Sequence, residues 1–470
     1  MLKVTVTQLA QWCSGKLLKT SEWSAVDDVV TDSRFAHHGC AFVALRGERF
    51  DGHQFIPDAI SRGAKTVIVQ HAEAVPKDAD VNIILVEDTL KALGSIARSH
   101  FEHIAKVSDP KVVAVTGSCG KTTTKLMISA MLSRSLNVLT SPESYNNEIG
   151  IPLTLFRLSA EHQAIVLEYA ARREGDIAYL CGIAKPHVGI ITNIGKAHIG
   201  IFGSREAIES AKGEIVEAID EDGYAVLNAD DQAFERLKAR TKATVLSFSM
   251  HDKRCHAFAE GVRSELLGVS FDANVLGRKL SVRLPVLGIH NVANALAAML
   301  AVCSVKGEID EDDVRALESF EPPKMRMQPH HRRNGVVIIN DAYNANPESM
   351  RAALQSLQLR TDANRRVAVL GEMRELGEMS YEEHFKLGWE LIDYGVDVAV
   401  VVGDGAAPIA EGALFRSRDA KGRMEVIPVS DIEEAVNVLR KLLKPGDVVL
   451  VKASRAIELD KVVDKLMGEH

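Results

Sequence analysis

Eight consecutive residues carry the densest chemistry in this chain: Thr116-Gly117-Ser118-Cys119-Gly120-Lys121-Thr122-Thr123. They follow the apolar run Val112 to Val115 and open a helical pattern from Lys121 to Leu136. Backbone N–H groups and a helix N-terminus therefore converge where a phosphate can be held. Lys121 is placed to reach the β- and γ-phosphates, and Thr122 to offer a hydroxyl to Mg²⁺. The common phosphate-loop spacing puts a first glycine at position 115, where this chain has Val115, so the loop is a variant form.

Other chemistry-bearing residues recur at the ends of apolar strands, where ligands of open α/β sheets sit. Glu168 closes the run Ala164 to Leu167 and offers a carboxylate to Mg²⁺. His198 follows the run His187 to Thr192 and reads either as a metal or phosphate contact or as an ordinary loop histidine. Asn340-Asp341-Ala342-Tyr343-Asn344-Ala345-Asn346-Pro347 stands at a third strand end, leading into a helix. Asn146 and Asn147 read alone as a turn or helix cap, and Asn291 likewise, whereas a cap does not account for Asn294. By spacing alone, Lys212 is an exposed helix lysine.

The elements that must position these residues fall into three α/β units, predicted at 1–109, 110–322 and 323–470. In the first, strands at Cys40 to Leu45 and Thr66 to Val69 mix with helices at Ile56 to Arg62 and Leu90 to Lys106. The second begins after Pro110. Its strands at Val112 to Val115, Ala164 to Glu168, His187 to Thr192, Ala225 to Asn228 and Val245 to Phe248 alternate with helices, which predicts βαβ crossovers and a mostly parallel sheet. A hairpin of Leu266 to Phe271 with Lys279 to Leu284 and a helix from Asn291 to Ser304 follow, and Glu321-Pro322-Pro323 reads as a linker. From Val336 the alternation resumes as a Rossmann-like unit, with strands at Val336 to Asn340, Val367 to Leu370, Val398 to Val402, Glu425 to Val429 and Val448 to Val451.

Composition narrows the function classes. At 470 residues, 26% charged and 46% hydrophobic, the chain is an ordinary multidomain globular protein. Its net charge of −8, with no basic run, argues against nucleic acid as a partner. An anionic substrate must then be held by a few placed groups. The six cysteines show no metal-ligand spacing and read as reduced cytosolic thiols. The N-terminus lacks the apolar stretch of a signal peptide, and the best apolar run, Ala295 to Val302, is far below the roughly 18 residues of a membrane span.

Taken together, these segments resemble the Mur ligases and their folyl-polyglutamate relatives. The resemblance rests on the short phosphate loop, on Asn146-Asn147-Glu148-Ile149-Gly150-Ile151-Pro152, on Lys196-Ala197-His198, on Ala211-Lys212-Gly213-Glu214 and on Gly288-Ile289-His290-Asn291-Val292-Ala293-Asn294. Met325-Arg326-Met327 and the segment around Tyr343 extend it. Thr31-Asp32-Ser33-Arg34, Ala44-Leu45-Arg46-Gly47 and Asp51-Gly52-His53 carry it into the first unit. The chain departs from the family after Glu168, where Tyr169-Ala170-Ala171-Arg172 replaces the usual Gly and Asn, and at Ala453, where glycine is common.

The resemblance implies an ATP-dependent amide ligase of peptidoglycan precursor synthesis that works through an acyl phosphate. It implies two Mg²⁺ held by Thr122, Glu168, His198 and a CO₂-modified, carbamylated Lys212, with Lys121 on the transferring phosphoryl group. It further implies nucleotide contacts from residues 116 to 123, Asn291, Asn294, Arg326 and Asp341. Ser33, Arg34, Arg46, Gly47, Asp51, His53 and Asn147 are expected on the UDP-muramoyl-tripeptide, and Tyr343, Asn344 and Asn346 on the incoming amine. The segment Asp341-Ala342-Tyr343-Asn344-Ala345-Asn346-Pro347 resembles the members that add D-alanyl-D-alanine. A cytoplasmic monomer acting on small molecules is expected. The rival readings are a relative that adds a single amino acid, and a nucleotide-gated protein that hydrolyses ATP without ligating anything.

Overall fold

The computed structural model describes residues 2–47, 50–142, 144–419 and 424–468. Three mostly parallel sheets build it, together with a two-residue pairing of Val4–Thr5 with Ala25–Val26. In the first sheet the order is Lys16–Lys19, Asn82–Leu85, Thr66–Val69, Cys40–Val43, Asp28–Val30, parallel except at the Lys16–Lys19 edge. Its strands Thr66–Val69 and Cys40–Val43 are buried along their whole length. That is why they read as continuous apolar runs rather than alternating ones. The helix Thr89–Ser108, capped by Asp88, joins this sheet to the next.

The second sheet has nine strands, in the order Arg278–Leu284, Gly268–Val275, Ala257–Glu265, Thr244–Ser249, Tyr224–Asn228, Val188–Ile191, Lys111–Thr116, Ala164–Glu168, Val138–Thr140. After Lys111–Thr116 the chain builds first to one side, through Val138–Thr140 and Ala164–Glu168, and then to the other, through Val188–Ile191. Thr116 thus ends at a switch point, and a crevice opens beyond it. The expected two-stranded hairpin is instead a three-stranded antiparallel meander. Leu266 and Leu267 form its exposed turn, and Ala257–Glu265 continues the parallel sheet beside Thr244–Ser249. The apolar helix His290–Lys306 packs across this sheet beside the phosphate-loop helix Lys121–Leu132.

The third sheet runs Gln328–His331, Val337–Asn340, Asp447–Lys452, Arg365–Leu370, Val398–Val402, Glu425–Val429, antiparallel only at Gln328–His331, a short edge strand absent from the sequence reading. The carboxyl end at Asn340 leads into the segment that meets the phosphate loop, and Lys452 at the neighbouring strand end holds that segment. The fold is α/β throughout.

Candidate active site

Two glycines shape the phosphate loop. Gly117 has φ +144° and Gly120 φ +83°, conformations that side chains rarely adopt. A Cβ would meet Thr192 Oγ1 at 1.9 Å in the first case and Asn294 Oδ1 at 2.3 Å in the second. Loop and neighbours are therefore fitted without spare space. The segment after Val188–Ile191 clamps the loop: Asn193 Oδ1 accepts from the Cys119 N–H at 3.0 Å, and Thr192 Oγ1 donates to the Cys119 carbonyl at 2.5 Å. The Gly195 N–H donates to Ser118 Oγ at 2.8 Å. Thr116, Ser118, Thr122 and Thr123 are all buried. Lys121 folds back so that Nζ donates to the Gly117 carbonyl at 2.7 Å, and burial holds its ammonium below the ordinary lysine range. A phosphate is the natural partner for an amine so placed.

Thr122 Oγ1 donates to Glu168 Oε2 at 2.7 Å, and Asn146 Nδ2 donates to Glu168 Oε1 at 2.8 Å. Lys125 Nζ lies 4.0 Å from the same carboxylate and donates to the Ser141 carbonyl at 2.8 Å. A buried hydroxyl and carboxylate side by side at a phosphate loop suit Mg²⁺, which takes one or two protein oxygens and completes its shell with phosphate and water. Among the described residues no three His, Cys, Asp or Glu converge as a metal cluster.

Lys212 contradicts its surface reading. It is 2% exposed, in the helix Arg205–Glu217, and burial, helped by the cation Lys121, pushes its amine down to about 7. His198 adopts a left-handed backbone, φ +62°, and its Nδ1 meets Glu375, itself left-handed at φ +63°. Beside them the backbones touch: the Gly200 N–H donates to the Glu375 carbonyl at 2.8 Å.

The third sheet's segments close over the loop. Arg326 Nη2 donates to Thr122 Oγ1 at 3.1 Å, and its guanidinium lies 4.1 Å over the Tyr343 ring. Met325 and Met327 on either side hold φ +57° and +50°, a strained backbone that aims Arg326 into the site. Tyr343 also meets Ser144 through their hydroxyls. Asp341 is committed within its own unit: Oδ2 accepts from Lys452 Nζ at 2.6 Å and Oδ1 from the Met327 N–H at 3.0 Å. Asn346 caps the helix Pro347–Gln358, and its Nδ2 donates to Cys119 Sγ at 3.3 Å. Asn344 is exposed. Asn291 accepts from Asn294 and donates to the Leu287 carbonyl, so this pair braces Gly120 from below.

In the first unit, Asp32 caps the turn Ser33–Phe35 and holds Arg34 through Nη2 at 2.6 Å. The Arg46 backbone bridges to Asp51, and the Gly47 N–H donates to the Phe50 carbonyl at 2.9 Å. Arg46, Gly47 and Arg34 are exposed. His53 is buried and engaged internally: Nδ1–H faces Asp51 Oδ1 at 2.6 Å, and Nε2 accepts from the Gln70 N–H at 3.0 Å. Asn147 Oδ1 accepts from the Gly150 N–H at 2.9 Å.

Family models cover this whole arrangement: "Mur ligase family, catalytic domain" matches residues 26–101, "Mur ligase middle domain" 115–302, and "Mur ligase, glutamate ligase domain" 325–455. The chain belongs to the Mur ligase family. It is 36% identical to the UDP-N-acetylmuramoyl-tripeptide--D-alanyl-D-alanine ligase of Mycobacterium bovis, over 100% of this chain and 98% of that one. MurF from Acinetobacter baumannii superposes with a TM-score of 0.90 at 33% identity, covering 100% of both chains. MurF ligase from Thermotoga maritima in complex with ADP gives 0.82 at 32%, covering 94% of this chain and 97% of that one.

The sequence assigned no individual role to several residues that hold the site of this Mur ligase. Thr192 and Asn193 clamp the loop, Ser144 meets Tyr343, Glu375 meets His198, and Lys452 pairs Asp341. Thr192, Asn193 and Lys452 stand at strand ends, a signal that could have given them a role. After Glu168, the departing Tyr169 turns inward and donates to the Ala184 carbonyl, so the change is absorbed in the core.

Proposed function

We infer that this Mur ligase joins D-alanyl-D-alanine to UDP-N-acetylmuramoyl-tripeptide, driven by ATP. The observation that carries it is the full-length likeness, at 33–36% identity, to ligases named for that activity. In this chain the Tyr343 segment meets the second unit at Ser144, and at Cys119 of the phosphate loop through Asn346. On this reading three units at 1–109, 110–322 and 323–470 divide the work: the first for the UDP-muramoyl end, the second for ATP, the third for the amine.

The terminal carboxylate of the tripeptide attacks the γ-phosphorus of ATP, ADP leaves, and the acyl phosphate is then attacked by the dipeptide amine. Lys121 leaves the Gly117 carbonyl and follows the transferring phosphoryl group, while the loop N–H groups spread its charge. Arg326, aimed at Thr122, adds a second cation over the nucleotide. Thr122, Glu168, His198 and Lys212 would hold Mg²⁺, which when bound offsets repulsion between the two anions. The buried Lys212 amine, near neutrality, suits reaction with CO₂, and the resulting carbamate is anionic. On this reading the enzyme works in the cytoplasm on small-molecule substrates, and we read it as a monomer.

The test is an amine competition. With MgATP and the UDP-tripeptide, an equimolar mixture of D-alanyl-D-alanine, meso-diaminopimelate and lysine should yield only the product heavier by one dipeptide unit. A product carrying a single amino acid instead would assign the chain to another branch of the family.

A further inference from the structure

Glu348, the second residue of the helix Pro347–Gln358, sits two positions after Asn346 and reaches across to the phosphate-loop unit. Its Oε1 accepts from the Lys196 N–H at 2.9 Å. Its Oε2 is buried and has no hydrogen-bond partner. Gly195 makes this approach possible: a Cβ there would lie 2.8 Å from the Glu348 carboxyl carbon and 3.0 Å from Oε2. The same Gly195 donates its N–H to Ser118 of the loop, so the carboxylate stands one residue away from the phosphate site. Its charge is felt there: burial first, then Glu348, raises the Cys119 thiol above its ordinary range.

No cation neutralises this carboxylate among the described residues. The nearby ammonium of Lys196 is turned to Glu383, and Lys121 lies on the Gly117 carbonyl. An uncompensated buried acceptor costs about 1–3 kcal/mol, more when charged, and such groups persist where function requires them. A cationic N–H donor is the kind of partner this carboxylate oxygen lacks.

On the reading given above, the incoming dipeptide is such a donor. An α-amino group has a pKa of roughly 8, so at neutral pH it arrives mostly as an ammonium, which has no lone pair for attack. We propose that Glu348 binds this ammonium through Oε2 and takes its first proton. The neutral amine then attacks the acyl carbon: the C–N bond forms, the C–O bond to phosphate breaks, and the second proton leaves with the phosphate as hydrogen phosphate. Glu348 afterwards returns its proton to solvent, so the sum is amide, hydrogen phosphate and one proton. Tyr343 and Asn346, already docked on the loop unit, form the wall beside this subsite.

Glu348→Gln tests this, because the carboxamide oxygen can still accept from Lys196 while charge and basicity are gone. Two readouts are compared in wild type and variant: ligation of D-alanyl-D-alanine, and trapping of the acyl phosphate by hydroxylamine, which is uncharged at neutral pH and needs no base. The variant should lose about a hundredfold or more in kcat for ligation, the scale of general-base catalysis, and keep hydroxamate formation within about threefold. Glu348→Asp should recover at least about tenfold over Glu348→Gln. Ligation at the wild-type rate, or equal loss of ligation and trapping, would overturn the role of Glu348 alone. A wild-type enzyme that traps hydroxamate but never ligates the dipeptide would overturn the functional reading beneath it.

Discussion

Lys212 shows what burial does to a single side chain. Its ammonium, desolvated and facing Lys121, loses its proton near pH 7 rather than above 10, so the amine is a nucleophile under ordinary conditions. We expect Lys212→Ala to lose at least about a hundredfold in ligation, the scale of several kcal/mol of charge stabilisation, with partial recovery in added short carboxylates. Unchanged turnover would remove Lys212 from the site; a ¹³C-bicarbonate label appearing in the wild type but not in the variant would show that Lys212 is carbamylated, and no label in the wild type would contradict it. Spacing could not reveal this burial. Ala211, Lys212 and Gly213 are covered because Arg240 lies against Gly213 and the rest of the helix packs on the sheet, and both are long-range facts. Thr122, Glu168 and the phosphate loop were legible because strand-loop-helix order is local.

At the level of elements, glycines and caps decide what the loop can be. Gly120→Ala would force a left-handed alanine into Asn294, a strain of about 1–3 kcal/mol, and should abolish calorimetrically measured ATP binding while leaving the circular dichroism of the fold intact. Binding within a few-fold of wild type would show that the loop can relax around the methyl group. The helix Thr89–Ser108 carries a second test. His100, buried, donates from Nε2 to the Leu158 carbonyl at 3.1 Å, and burial holds it at about 4, below its ordinary 6.5. Protonation therefore favours the unfolded chain. The stability is complete above about pH 6.5 and is lost as pH falls toward 4, about 3 kcal/mol in all. His100→Gln should flatten the fall in apparent Tm across that window, and an unchanged slope would exclude this histidine as its source. Helix and strand placement was mostly legible from periodicity. The meander was not, because Leu266 and Leu267, apolar but exposed in a turn, imitate the start of a strand.

Across the whole molecule, the proposed reaction needs the third unit to lie on the second, and polar contacts join the apolar packing of Ile199 and Phe202 with Leu376 and Met379 in holding it there. Lys196 Nζ pairs with Glu383 at 2.5 Å, Glu383 is shared with Arg351, and His198 meets Glu375. Lys196→Ala should raise the KM for the dipeptide several-fold and enlarge the radius of gyration seen by X-ray scattering. Its melting temperature should hardly change, because Arg351 still pairs Glu383. Equal scattering and equal KM would show that the interface does not depend on this lysine. None of these pairs between the two units is visible in sequence, since their partners lie more than a hundred residues apart. The most direct test of the account is phosphate release from MgATP and UDP-N-acetylmuramoyl-tripeptide, with and without D-alanyl-D-alanine. Release that requires the dipeptide, one phosphate for each UDP-muramoyl-pentapeptide formed, is the predicted result, and steady release indifferent to the dipeptide would contradict it.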